Sequence, residues 1–207
     1  MAASLQAAVQ AIEALREGRM AVILGRLNGV EVATLVRDAE TVTPADINYM
    51  AWWGRGLISC AVRADRLERL AIPRIDSDRP GATAFCVSVD ARRGTTTGIS
   101  AHDRALTARV LADPLAKPED LVRPGHLLPI RVEAEGLRQR PGLAEAAVAL
   151  ATLAGRAPVA VTCPMLEESG EVAGRAAVES FARREGLTVV RVADLLEYLE
   201  GHVAEAI

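Results

Sequence analysis

His126 and Arg140 are the residues of this chain best suited to chemistry. His126 closes the stretch Arg123-Pro124-Gly125-His126, where proline and glycine fix a turn and place an imidazole at a strand edge. An imidazole there can carry a proton near neutral pH, although a lone histidine is more often structural. Arg140 stands two residues before Gly142, which opens an Ala/Leu-rich helix. A guanidinium ahead of a helix N-terminus suits a phosphate or carboxylate, with Gly142 as a further candidate contact; a surface or interface ion pair is the alternative for Arg140. Glu145 in the first turn of that helix, and Glu31 on an early strand, are candidate second carboxylates. Gly94 to Arg104 reads Gly-Thr-Thr-Thr-Gly-Ile-Ser-Ala-His-Asp-Arg. Its glycines and hydroxyls ahead of a helix suit an anion, with Thr96, Ser100 and Arg104 as candidate contacts. Ser100 with Asp103 also fits an ordinary capping arrangement, and Asp103 could simply pair with Arg104. Trp52 and Trp53 are the only tryptophans. One of them, Trp53, is a candidate ligand contact, since two adjacent helical residues do not face the same way; packing against a helix or a partner is the plainer reading.

The elements that must position these groups can be read from periodicity and breakers. Ser4 to Gly18 carries Leu5, Val9, Ile12 and Leu15 at helical spacing, with Ser4 as cap. Met20 to Leu24 is a buried strand and Val30 to Val36 a second. Thr43-Pro44 opens a helix running to about Trp53. Leu57 to Val62 is a strand, Arg63 to Leu70 a short helix, and Ile72 to Thr83 a loop. Ala84 to Asp90 alternates as a strand, and Ser100 caps a helix to about Leu111. Asp113 to Gly125 reads as irregular, with three prolines. Leu128 to Val132 is a strand, Gly142 to Gly155 a helix, Ala157 to Cys163 a strand, Glu171 to Glu185 a helix, Leu187 to Val192 a strand and Ala193 to Val203 a helix carrying His202. The order implies a single domain over 1–207 of the α/β or α+β class, with a mixed β-sheet covered by helices.

Bulk properties narrow the function. The 207 residues suffice for a sizeable core. Aromatics make up only 3 %, so that core must be built from Ala, Val, Leu and Ile. A net charge of −3 leaves no basic footprint for nucleic acid. No apolar run approaches a membrane span, and the N-terminal segment carries charges where a secretory signal would be apolar. Cys60, Cys86 and Cys163 sit singly in apolar runs, as buried thiols of a cytoplasmic protein do. No zinc spacing is present.

Gly94–Arg104, with Phe85, Val87, Val89 and Asp90 before it, and Arg123-Pro124-Gly125-His126-Leu127-Leu128-Pro129 closely resemble two signatures of the 3,4-dihydroxy-2-butanone 4-phosphate synthase family. That family makes the four-carbon precursor of riboflavin from ribulose 5-phosphate. Arg140-Pro141-Gly142-Leu143-Ala144-Glu145-Ala146 resembles its Arg-x-Gly-His-Thr-Glu-Ala, and further matches extend the likeness from about Leu5 to Tyr198. The resemblance implies the family fold, a homodimer with the pocket near the subunit interface, and an essential role for His126.

The chain departs from the family where the family binds metal. Counted back from Ala39-Glu40-Thr41, the family's metal-binding Glu falls on Val30, its preceding Arg on Gly29 and its substrate-binding Asp on Thr34. The second metal ligand falls on Leu143, the Thr beside it on Ala144, and an acid/base Glu on Pro164. Glu31 survives one position out of register, which turns it to the other face of a strand. Losing a Lewis acid forfeits several kcal/mol of transition-state stabilisation, and losing a positioned general base costs about 10²–10⁴ in rate. The expectation from these replacements is a repurposed enzyme. It would rearrange, eliminate or cyclise a non-sugar, partly apolar metabolite of specialised biosynthesis, with no cofactor and no metal. The alternatives are a non-catalytic binding or scaffold subunit, and the synthase itself, releasing formate from ribulose 5-phosphate with Mg²⁺ and ligands such as Glu31. The expected partners are a small-molecule ligand and a second copy of the chain, with neither nucleic acid nor membrane.

Overall fold

The computed structural model describes residues 3–78 and 81–203. Seven strands form one mixed sheet: β1 (Ala21–Leu27), β2 (Val30–Asp38), β3 (Ser59–Arg63), β4 (Val89–Ala91), β5 (Leu121–Val132), β6 (Val159–Pro164) and β7 (Thr188–Arg191). Their order is β4-β5-β3-β6-β2-β1-β7. β1 runs parallel to β7 and β3 parallel to β5, and the other neighbours are antiparallel. Eight α-helices accompany it: α1 (Ala3–Arg16), α2 (Pro44–Tyr49), α3 (Ala64–Arg69), α4 (Ala101–Ala112), α5 (Gly136–Gln139), α6 (Leu143–Leu153), α7 (Arg175–Glu185) and α8 (Val192–Val203). This is the expected mixed sheet with helical cover.

Both faces of the central sheet are buried, which is why its strands read as unbroken apolar runs. In β1, Val22 and Leu24 join one core with Leu35, Cys60, Val62 and, from α4, Ala105, Ala108 and Leu111. Ala21 and Ile23 point the other way, to a core made with Ile12 and Leu15 of α1, Leu150 of α6 and Leu195 of α8. Alanines at 146, 147 and 151 let α6 lie close to the sheet. No helix of the described residues is long and apolar enough to cross a membrane.

Several boundaries differ from the sequence reading for physical reasons. Ser4 lies inside α1, which already includes Ala3. The helix opens at Thr43-Pro44 as expected, and Thr43 caps it: its hydroxyl accepts from the Asp46 amide at 3.2 Å while Asp46 accepts from the Thr43 amide at 2.8 Å. The helix does not continue as α to Trp53. It widens into a π turn over Met50–Gly54, where the Arg55 amide reaches the Met50 carbonyl at 3.2 Å and the Cys163 thiol donates to the same carbonyl at 3.4 Å. The alternating stretch from Ala84 makes only isolated bridges at Phe85 and Cys86 before the short β4. β5 begins at Leu121, well before the expected Leu128, and passes through Pro124. α7 begins at Arg175 because Val172 bridges to Leu166 instead of entering the helix. The His202 side chain lies outside the described residues.

Candidate active site

A cleft of about 480 Å³ opens beside the sheet. Its floor is built by three adjacent strands. Thr34 on β2 stands opposite Pro164 on β6, and Ser59 on β3 opposite Thr162 on β6, and all four residues line the cleft. The three hydroxyl side chains are nearly inaccessible, and that of Thr34 donates to the Leu35 carbonyl at 3.2 Å. Val32, Leu57, Phe85, Ile130 and Leu143 supply apolar wall. Arg26 and Asn28, from the β1–β2 hairpin, and Arg140 with Glu145 supply the polar groups.

The start of α6 positions Arg140 and Glu145. Gly142 is the N-cap residue, and a Cβ there would sit 2.2 Å from Glu145 Oε2, so any side chain would displace that carboxylate. Glu145 is buried and lies 3.6 Å from the half-exposed Arg140 guanidinium. Burial pushes its carboxyl above the ordinary carboxylate range, opposed by a backbone N–H and by the charge of Arg140. Leu143 packs close to Gly25, where a Cβ would meet its Cδ2 at 2.9 Å.

His126 does not line this cleft. It precedes Ile130 by four residues on β5, about 13 Å along an extended strand. It forms a second constellation with Asp90 of β4. Asp90 Oδ2 lies 2.8 Å from His126 Nδ1, and Asp90 Oδ1 accepts from the His126 amide at 2.9 Å. The imidazole is 42 % exposed, the carboxylate only 12 %. Gly98, with φ of +90°, lies against the pair; a Cβ would fall 2.0 Å from Asp90 Oδ2 and 2.5 Å from His126 Nδ1. In the sequence 36 positions separate the two residues and no local pattern connects them.

The Gly94–Arg104 segment belongs to this second constellation, and its amides are directed inward. Asp103 Oδ2 accepts from the Thr96 amide at 3.1 Å, the Thr96 hydroxyl at 2.9 Å and the Gly98 amide at 2.9 Å. Two of the amides expected to hold an external anion are thus satisfied by a carboxylate of the chain itself. Ser100 caps α4 by accepting from the Asp103 amide at 3.0 Å. The reciprocal half of a capping box is replaced by the Asp103 bonds to Thr96 and Gly98. Arg104 is partly buried, its Nε has no partner among the described residues, and burial holds its guanidinium below its ordinary pKa while the nearby Cys163 thiol opposes this.

Glu31 and Trp53 also fall outside the cleft. Glu31 is exposed on β2 opposite Arg26, while Val32 and Thr34 face the cleft, as alternation along a strand requires. Trp53 packs in a ring cluster, 6.4 Å from Tyr49 and 6.0 Å from Phe181 of α7, with Arg184 5.9 Å above it. Trp52 beside it is 69 % exposed. Of the sequence candidates, Arg140, Gly142 and Glu145 meet in the cleft, and His126, Thr96, Ser100 and Arg104 lie on the β4–β5–α4 side.

The donors in the cleft do not fit a divalent cation. Among the described residues Glu145 is its one carboxylate, it is paired with Arg140, and no imidazole or thiol lines the space. Among the described residues no three His, Cys, Asp or Glu side chains gather in a metal-ligating group. Hard divalent cations take several oxygen ligands, and aliphatic Leu143, Val32 and Pro164 offer none. The three thiols are free and buried; burial pushes that of Cys163 up to about 11, against a backbone hydrogen bond and the charge of Arg104.

Residues 9–198 match the family model for 3,4-dihydroxy-2-butanone 4-phosphate synthase. The chain belongs to that family. It is 41 % identical to the 3,4-dihydroxy-2-butanone 4-phosphate synthase of Agrobacterium fabrum, over 94 % of this chain and 92 % of that protein. It is 42 % identical to the riboflavin biosynthesis protein RibBA of Aquifex aeolicus, over 91 % of this chain and 48 % of that protein. The chain therefore spans about half the length of the Aquifex relative. The fold is similar to a solved 3,4-dihydroxy-2-butanone 4-phosphate synthase in complex with two magnesium ions, with a TM-score of 0.86 and 38 % identity over 93 % of this chain and 96 % of that one. These identities correct the expectation of a repurposed enzyme for a non-sugar metabolite: relatives matching over 94 % and 95 % of the chain are named for one synthase activity.

Proposed function

We propose that this chain forms 3,4-dihydroxy-2-butanone 4-phosphate, from the ribulose 5-phosphate that the family resemblance implies. The observation that carries the proposal is 41 % identity to a synthase of matching length. Arg140, just ahead of α6, and Arg26, near the end of β1, are the cationic groups lining the cleft and available to an anionic phosphate. The buried hydroxyls of Thr34, Ser59 and Thr162 lie on the floor, where sugar hydroxyls could bond. His126, hydrogen-bonded through one ring nitrogen, is the group available to carry a proton through the other.

The proposal includes a homodimer. His126 stands outside the cleft of its own chain, and exposed apolar side chains lie close to it in sequence or register: Ile99 follows Gly98, and Val122 pairs with Asp90. In this arrangement each subunit's His126 serves its partner's cleft. A cytoplasmic setting accords with three free, buried thiols.

The donor set also favours a second function, that of a family member that binds or scaffolds without turnover. Formate release from ribulose 5-phosphate, with and without Mg²⁺, beside an active relative, decides between them. Formate released at rates that depend on this chain supports the synthase. Binding of ribulose 5-phosphate by folded protein without formate overturns it in favour of the non-catalytic function.

A further inference from the structure

We infer that Asp90 is a positioning residue that fixes the tautomer of His126, protonating Nδ1 and leaving Nε2 bare as the proton acceptor. The two Asp90 oxygens are both committed to His126, Oδ1 to its amide and Oδ2 to its ring. A carboxylate accepts hydrogen bonds and donates none. The ring nitrogen 2.8 Å from Oδ2 must therefore carry the proton, and in the neutral imidazole the other nitrogen is then an acceptor. The bond to the backbone amide fixes the carboxylate against the strand that bears the histidine, so the ring and its partner move as one unit.

The surroundings are built for this contact. Gly98 leaves no Cβ where one would overlap Asp90 Oδ2 and His126 Nδ1. The Gly98 amide is held by Asp103 at 2.9 Å, so the glycine is anchored in its place over the pair. Gly125, next to His126, lies against the Val89–Asp90 peptide, where a Cβ would come within 2.1 Å of the Val89 carbonyl carbon. Its amide is bound by Ser88 at 3.1 Å. Gly125 thus lets β4 and β5 approach closely enough for a carboxylate on one to reach the ring on the other, and Gly98 leaves room for the pair.

Asp90 acts through His126 and does not line the cleft. The catalytic consequence rests on the function proposed above; the tautomer does not. The test is ¹⁵N NMR of the ring nitrogens in the full chain, at a pH where the imidazoles are neutral. The chain has three histidines, and H126Q assigns the signal. The wild-type His126 ring is expected to show a protonated Nδ1 and a bare Nε2. In D90N, an asparagine whose oxygen keeps the His126 amide turns its NH₂ to the ring. The proton is then expected on Nε2. Under the proposed activity, kcat of D90N falls about 10²-fold or more, with KM little changed. A wild-type ring protonated at Nε2, or a tautomer unchanged in D90N, overturns the inference. The wild-type spectrum alone can do so if D90N fails to fold. Absence of formate with the tautomer as stated sinks the functional proposal and leaves this one standing.

Discussion

Glu145 approaches Arg140 to 3.6 Å through Oε1, while its Oε2 occupies the space that a Cβ on Gly142 would need. The carboxylate is thereby tucked beneath the N-terminus of α6 and nearly closed to solvent, whereas its cationic partner is half exposed. The screened pair does not offset the burial, and the Glu145 carboxyl is left above the ordinary range.

A pH dependence of stability follows. The folded pKa of Glu145 is raised above its unfolded value, so the folded state binds the proton more tightly. That stabilisation is complete below the unfolded value, about 4.3, and is lost as pH rises through the folded value. E145Q removes the titration. Its stability relative to wild type is expected to improve as pH rises from about 4 toward neutrality. Urea unfolding of both proteins across that range checks it, and a constant difference would refute the assignment.

The residues explain which parts of this site could be read from the sequence. The helix start at Thr43-Pro44 and the strand at Met20–Leu24 depend on local chemistry, a cap and a two-sided apolar run, and both are found. β5 escaped for its first seven residues because proline inside a run argues against a strand. Ser100 and Asp103 have the spacing of a capping box, but the Asp103 side chain satisfies amides five and seven residues back. Asp90–His126 is a contact across neighbouring strands, which no local period encodes. Val32 and Thr34 on the cleft, with Glu31 turned away, do follow from alternation once the strand register is known.

The Thr96–Gly98 turn is expected to be acid-labile. Burial raises the Asp103 carboxyl, but bonds from the Thr96 hydroxyl, the Gly98 and Thr96 amides and Ser100 outweigh it and leave it lowered. A depressed folded value means stabilisation that is present above the unfolded value, about 3.9, and lost as pH falls through the folded one. D103N can keep the geometry without the charge. It is expected to be less stable than wild type at neutral pH and to lose part of the acid slope. Acid titration followed by circular dichroism checks this; equal slopes would show that another group governs the acid limb.

Divalent cations are expected to leave the chain's melting temperature unchanged. A cation held only by the folded state would add about 2.7 kcal/mol at about 100 times its Kd, a shift that calorimetry resolves readily. The cleft offers one carboxylate, already facing Arg140. Thermal scans with EDTA, Mg²⁺ and Mn²⁺ check the expectation. A clear rise with either ion would mean that ligands from outside this cleft complete a site.

Trp53 is expected to matter for stability and not for substrate. Its ring forms a three-membered cluster with Tyr49 and Phe181, with Arg184 above, which ties the end of the α2 segment to α7. W53A removes these contacts from a partly exposed position and should cost about 1–3 kcal/mol. Because the ring does not line the cleft, the KM for ribulose 5-phosphate, or its Kd if there is no turnover, should stay within about threefold of wild type at a binding cost below about 0.7 kcal/mol. Denaturant melts and ligand titration of the variant measure the two effects separately. A large loss of affinity with little loss of stability would place Trp53 against the ligand, as it would if a second subunit brought that surface to its cleft.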